Sequence, residues 1–219
     1  VAVKAPAQER MYRIARPLLV CDLGVARDAI RFSGLDLRTR AVAAPSDGRY
    51  EHGCVDVLDM ANVSMAELRH KTVSVMTGKA SYEYVEKVIT LALAGEIDAT
   101  VTGPINKEAI NAAGFHYAGH TEIYGELTKC RDYAMMLADG SFRVVHVSTH
   151  CSLRQACDRA KKPRVLKVIG LARDALVRLG IAKPRIAVAG LNPHAGENGM
   201  FGREEIEEIE PAVREAREH

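Results

Sequence analysis

Read for its alternation of apolar and polar positions, the chain breaks into short β-branched runs and longer stretches with helical spacing. Met11, Ile14 and Ala15 predict a helix over residues 1–16 that Pro17 ends. Leu18–Cys21 predicts a short buried strand, and Asp22-Leu23-Gly24 turns into a helix over Val25–Ser33 that Gly34 stops. From Leu35 to His70 the pattern is irregular. Arg40–Ala43 and Cys54–Leu58 look like strands, separated by Pro45, Gly48 and Gly53. After Thr77–Ser81, the spacing of Tyr84, Val85, Val88, Ile89, Ala92 and Leu93 predicts a helix closed by Gly95.

The stretch from Asp98 to Glu122 organises the rest. Ala99–Thr102 predicts a buried strand that breaks at Gly103, and Pro104 starts a helix that Gly114 stops. A strand feeding a helix N-terminus favours an anion. Gly119-His120-Thr121-Glu122 then places three polar side chains on a loop. Beyond it, Tyr133–Ala138 and Phe142–Ser148 flank Asp139-Gly140-Ser141, a hairpin signature. Ser152 to Gln155 reads as a capping box, Pro163 opens a helix that ends at Gly180, and Ile186–Ala189 predicts a buried strand. A loop rich in glycine follows over Gly190–Gly199, and Glu204–Arg217 is a charged helix.

Alternating strands and helices predict an α/β fold with a mostly parallel mixed sheet, an antiparallel hairpin, and helices on both faces. The 219 residues are 47% hydrophobic and 26% charged with net charge +2, which exerts no general pull on nucleic acid. No apolar run reaches the length of a membrane span. The basic run Arg159–Arg164 reads as a solvated helix junction. Five cysteines without CxxC spacing suit a reducing cytoplasm. Cys151 follows His150 but reads as a small buried hydrophobe. The chain opens without methionine and closes inside a charged helix, so it reads as a fragment.

His120, His150 and His194 all follow predicted strands, and ligands of open α/β sheets bind beyond the carboxyl ends of strands. Each alone reads first as a surface or hydrogen-bonded histidine. The three together, with glycine and threonine beside them, predict convergence at one rim. No HxxxH or HExxH pair occurs, so a metal needs ligands from separate loops. His52, His70, His116 and His146 do not share this address, His146 reads as structural, and His219 is assigned nothing. Gly78 with Lys79 is a weaker candidate for a phosphate contact. No Walker loop or G-x-G-x-x-G is present, so the residues themselves name no nicotinamide cofactor.

Four motifs in order, Thr102-Gly103-Pro104-Ile105-Asn106-Lys107, Gly119-His120-Thr121-Glu122, Ser148-Thr149-His150 and Asn192-Pro193-His194-Ala195-Gly196-Glu197, make the chain resemble the 4-hydroxythreonine-4-phosphate dehydrogenase family of vitamin B6 biosynthesis. The resemblance runs through nearly all of the chain. It implies an isocitrate/isopropylmalate-dehydrogenase-like fold, a cytoplasmic homodimer with its active site at the subunit interface, NAD or NADP, and a divalent metal such as zinc, magnesium or cobalt. By position it implies that His120 and Thr121 bind substrate and that His150 and His194 are two of three metal ligands. The third is implied to come from the partner subunit, from a C-terminal segment beyond residues 1–219. The N-terminal glycine-rich segment and the cofactor contacts are likewise outside this sequence, and no catalytic residue is assigned.

Val147–His150 and Gly196–Gly202 are closer to a branch similar to D-threonate and D-erythronate 4-phosphate dehydrogenases. The implied reaction is oxidation and decarboxylation of a 4-phosphorylated 3-hydroxy acid such as 4-hydroxythreonine 4-phosphate, with D-threonate or D-erythronate 4-phosphate as the alternative substrate. Two readings of other classes stand beside it: a metal-free phosphate acyltransferase of similar fold, and a non-catalytic module that binds phosphorylated acids.

Overall fold

A computed structural model describes residues 2–218, which divide into two compact units, Val1–Lys129 and Cys130–His219. The fold is mixed α/β, with a parallel sheet in the first unit and an antiparallel pair in the second. Among the described residues no helix is long and apolar enough to cross a membrane.

The first unit begins with a 3-10 turn, Ala2–Lys4, and helix α1, Glu9–Ile14. The continuous helix expected over 1–16 is interrupted, because a proline at position 6 disfavours helical backbone before it and removes a donor; residue 1 lies outside the described residues. Strand β1 is Leu18–Cys21, as the apolar run predicts. Asp22 caps helix α2, Leu23–Phe32, by accepting from Gly24 N–H and Val25 N–H.

The segment read as irregular is more regular than expected. It holds β2, Arg38–Val42, and β3, Cys54–Asp59, both parallel to β1 in the order β1-β3-β2. Central β3 is buried on both faces, so its apolar residues run on instead of alternating with polar ones. Val55 and Val57 pack with Ala26 of α2 and Leu19 of β1. Asp56, also on β3, is buried and paired with Arg40 at 3.0 Å, and it accepts from Tyr50 N–H at 2.7 Å.

Helix α3 runs Val75–Leu93 and starts before the expected Thr77–Ser81 junction. Helices α4, Lys107–Ala112, and α5, His120–Leu127, complete the unit. Tyr82, Val85 and Ile89 of α3 form a core with Ile123 of α5, against which Phe115 and Tyr117 pack.

The second unit opens with the hairpin β4, Met136–Asp139, and β5, Phe142–Val145, turning at Gly140 with φ 55°. Both strands are shorter than the sequence runs. Helix α6, Leu153–Arg159, carries the expected capping box from Ser152 and Gln155. Helix α7 is Lys162–Arg178. The charged C-terminal stretch is a π-helical turn, Glu205–Ile209, followed by helix α8, Glu210–Ala216. Pro211 gives the reason: it has no N–H to bond and its ring crowds the preceding turn, so the residues before it widen to i→i+5 bonding. Val165, Ile209 and Ala212 form this unit's core.

Two expected strands are absent. Ala99–Thr102 has no ladder and leaves Val101 98% exposed. Ile186–Ala189 also lacks one. A β-branched run favours extended backbone, but a strand needs an edge to pair with, and no described residue supplies it here.

Candidate functional site

In the first unit, the expected helix start at Pro104 moves to Asn106. Its side chain accepts from Ala109 N–H at 2.8 Å, leaving Thr102–Ile105 as exposed or half-buried coil in front of α4. Tyr124 of α5 donates to Thr100 Oγ1 at 2.7 Å and so ties that coil to the helix. His120 was expected on a loop. It is instead the first residue of α5, with Gly119 at the N-cap and Thr121 one residue on. The apolar spacing Ile123, Tyr124, Leu127 is the signal that marks this helix. His120 Nε2 and Glu122 Oε2 are buried without a hydrogen-bond partner. Desolvation lowers the His120 pKa from its ordinary 6.5, so the ring is neutral at pH 7. Thr121 is half-buried. These two side chains can offer hydrogen bonds to a ligand.

Gly78 does not line a phosphate site. It is buried inside α3, where an added Cβ would lie 2.0 Å from the Ala109 carbonyl oxygen of α4. Its lack of a side chain lets two helices touch. Lys79 pairs with Glu83 at 3.7 Å. The phosphate expectation for Gly78 is therefore corrected to helix packing.

In the second unit, Val147 and Val188 pack against the same Val165–Ile209–Ala212 core. Ser148 and Gly190 line one cavity of about 200 Å³ beside it. The segments leading to His150 and His194 therefore leave from one patch of this core. Arg164, in the basic run read as a solvated junction, reaches inward instead. It donates to the Val147 carbonyl at 2.9 Å and to the Tyr133 carbonyl at 3.0 Å. Lys161 and Lys162 N–H both bond Glu208, which closes the junction onto the π-helical turn.

Backbone strain marks both histidine loops. His150 sits at φ 52°. After His194, five consecutive residues have left-handed φ: Ala195 (48°), Gly196 (74°), Glu197 (43°), Asn198 (55°) and Gly199 (95°). Each non-glycine residue there costs about 1–2 kcal/mol. Such strain persists only where the surroundings over-determine it, and it clusters at functional sites. Asn192 Oδ1 helps by accepting from His194 N–H at 2.9 Å and Gly196 N–H at 3.3 Å.

The described histidines sort into two groups. His52 bonds the Ala7 carbonyl, His70 bonds Asp28, His116 bonds Asn111 and His146 bonds the Met135 carbonyl. The rings of His120 and His150 have no hydrogen-bond partner among the described residues, and His194 Nδ1 stays 3.8 Å from Glu197. The three candidates are thus the described histidines whose rings make no hydrogen bond, and the His194 ring packs beside Phe201 at 5.3 Å. Among the described residues no group of three or more His, Cys, Asp or Glu is gathered as a metal cage. His150 and His194 are nonetheless exposed imidazoles with nitrogens to spare, which fits a partial donor set for a divalent ion. Nothing in the sequence sets Glu205 apart from its charged neighbours, and Arg164 belongs to the basic run that reads as a solvated junction. Each looks like a solvated charge there, and only the fold turns it toward a backbone.

Comparison with known proteins agrees along nearly the whole chain. The profile of a family described as "Pyridoxal phosphate biosynthetic protein PdxA" matches residues 13–219. A protein of Symbiobacterium thermophilum named "Putative D-threonate 4-phosphate dehydrogenase" is 45% identical over 99% of this chain and 64% of its own length. The crystal structure of a 4-hydroxythreonine-4-phosphate dehydrogenase from Burkholderia phymatum superposes with TM-score 0.85 at 39% identity, covering 99% of this chain and 66% of that one. One from Klebsiella pneumoniae gives 0.88 at 37%, covering 98% and 65%. The chain thus spans just under two thirds of the length of these relatives.

Proposed function

The chain belongs to the PdxA family, and from that premise we propose that it is part of a dehydrogenase that oxidises and decarboxylates a 4-phosphorylated 3-hydroxy acid, with NAD or NADP as hydride acceptor. The reading is supported by one observation: among the described histidines, the rings that make no hydrogen bond are those of His120, His150 and His194, the three that the family motifs mark.

His150 and His194 would hold a divalent ion, and that ion would supply Lewis acidity to the substrate hydroxyl. His120 and Thr121 bind and orient the substrate. The desolvated His120 ring stays neutral at pH 7, so it acts as a hydrogen-bonding group and not as a cation. Exposed coil at Thr102–Pro104 leaves main-chain groups open to a ligand. The working form is a cytoplasmic homodimer in which the other subunit supplies a third metal ligand. The five free cysteines suit a reducing compartment.

The substrate is 4-hydroxythreonine 4-phosphate or D-threonate 4-phosphate. The second reading is supported by the 45% identity to the Symbiobacterium protein, whose name carries D-threonate 4-phosphate. The test is NAD(P)H formation with each acid, in wild type and in His150→Ala and His194→Ala. Each variant is expected to stay folded and lose metal-dependent turnover. Full activity in either variant without bound metal overturns the proposal. Binding of the acids without turnover points to a non-catalytic module.

A further inference from the structure

We infer that Glu205 is a positioning residue for His194, tying down the loop that carries it. The inference rests on the metal reading above and adds a residue that the reading does not use.

The loop from Leu191 to Gly202 holds most of the unit's left-handed backbone, so it needs restraint from outside itself. Asn192 restrains it only from within. Glu205 does so from a separate element. It is the first residue of the π-helical turn, and its Oε1 accepts from Leu191 N–H at 2.7 Å. Its Oε2 is buried beneath the crest of the loop, without a hydrogen-bond partner. Gly196 is pressed onto that oxygen: an added Cβ would lie 2.8 Å from Glu205 Oε2 and 2.9 Å from the Gly202 carbonyl oxygen. The carboxylate thus holds the root of the loop and supports its strained crest, while the His194 ring stays exposed.

The π-helical turn is itself fixed. Ile209 is in the core, and Glu208 accepts from Lys162 N–H at 2.7 Å at the start of α7. Glu205 therefore transmits a rigid base to a loop that its own sequence would not keep in place. Groups that orient a metal ligand change metal affinity without touching the metal.

Two measurements on the full-length dimeric protein test this, hydrogen–deuterium exchange over Leu191–Gly199 without metal and titration with Co²⁺. In Glu205→Ala the exchange is expected to rise by about tenfold or more. Its Co²⁺ affinity is expected to fall on the order of 10–100-fold. Glu205→Gln keeps an acceptor for Leu191 N–H and should stay within about threefold of wild type in both. Glu205→Asp, which withdraws the acceptor by one methylene, should fall between, and it decides the matter if Glu205→Ala does not fold. Unchanged exchange in Glu205→Ala overturns the inference. So does a Gln variant as impaired as the Ala variant, or faster exchange with undiminished Co²⁺ affinity. His194→Ala is titrated alongside. If it binds Co²⁺ like wild type, the metal reading fails by itself, and exchange alone decides whether Glu205 tethers the loop.

Discussion

At His120, burial without a partner holds the imidazole below its ordinary pKa of 6.5. The sign of the consequence follows from linkage. The unfolded chain takes up the proton first as pH falls, so the folded state loses stability on acidification from about pH 6.5 through the lowered folded value. The denaturation midpoint should therefore drop between pH 7 and pH 5.5, and less steeply in His120→Gln. Parallel slopes would mean that the ring is hydrated. Cys21 shows the same physics in a thiol. Burial, with Asp22 and Asp59 nearby, pushes its pKa up to about 12, so almost no thiolate exists at pH 8. A disulfide reagent at pH 8 should label exposed Cys130 and Cys157 quickly and leave Cys21 unmodified until the chain unfolds.

Among the elements, Gly78 gives the sharpest test. Glycine inside an exposed helix costs about 1 kcal/mol relative to alanine, so Gly78→Ala would ordinarily stabilise α3. Here the new methyl meets a backbone carbonyl at 2.0 Å, which no rotamer change relieves. Overpacking of this kind costs about 1–3 kcal/mol or more. The urea midpoint of Gly78→Ala should fall with the slope unchanged. A rise would return Gly78 to the candidate phosphate contacts. The same contrast explains what could be read from sequence. Features set by neighbours in the chain were legible: β1, the stop at Gly34, the capping box at Ser152 and the hairpin at Gly140. Features set by a distant partner were not. Whether Ala99–Thr102 becomes a strand depends on an edge elsewhere, and whether Gly78 faces a ligand or a helix depends on where α4 docks. The histidines were legible as a set because three of the four motifs carry one each. That their rings make no hydrogen bond among the described residues, the left-handed run after His194 and the reach of Arg164 and Glu205 needed the fold.

For the molecule as a whole, the proposed roles divide along the boundary between the two units. The proposed substrate contacts His120 and Thr121 belong to the unit ending at Lys129, with its core on Tyr82, Val85, Ile89 and Ile123. The proposed metal ligands His150 and His194 belong to the other, with its core on Val165, Ile209 and Ala212. Each of these rings belongs to one unit alone, and the ion and the acid can each be titrated with the other absent. Metal affinity and substrate affinity should therefore separate. His120→Ala is expected to raise KM for the phosphorylated acid by about 10–100-fold, the range for losing one hydrogen bond to a charged ligand, while Co²⁺ affinity stays at the wild-type value. His194→Ala should do the reverse, losing the ion while the folded chain still binds the acid in metal-free buffer. Equal loss of both affinities in both variants would show that no such division exists, and the assignment of His120 to substrate alone would have to be given up.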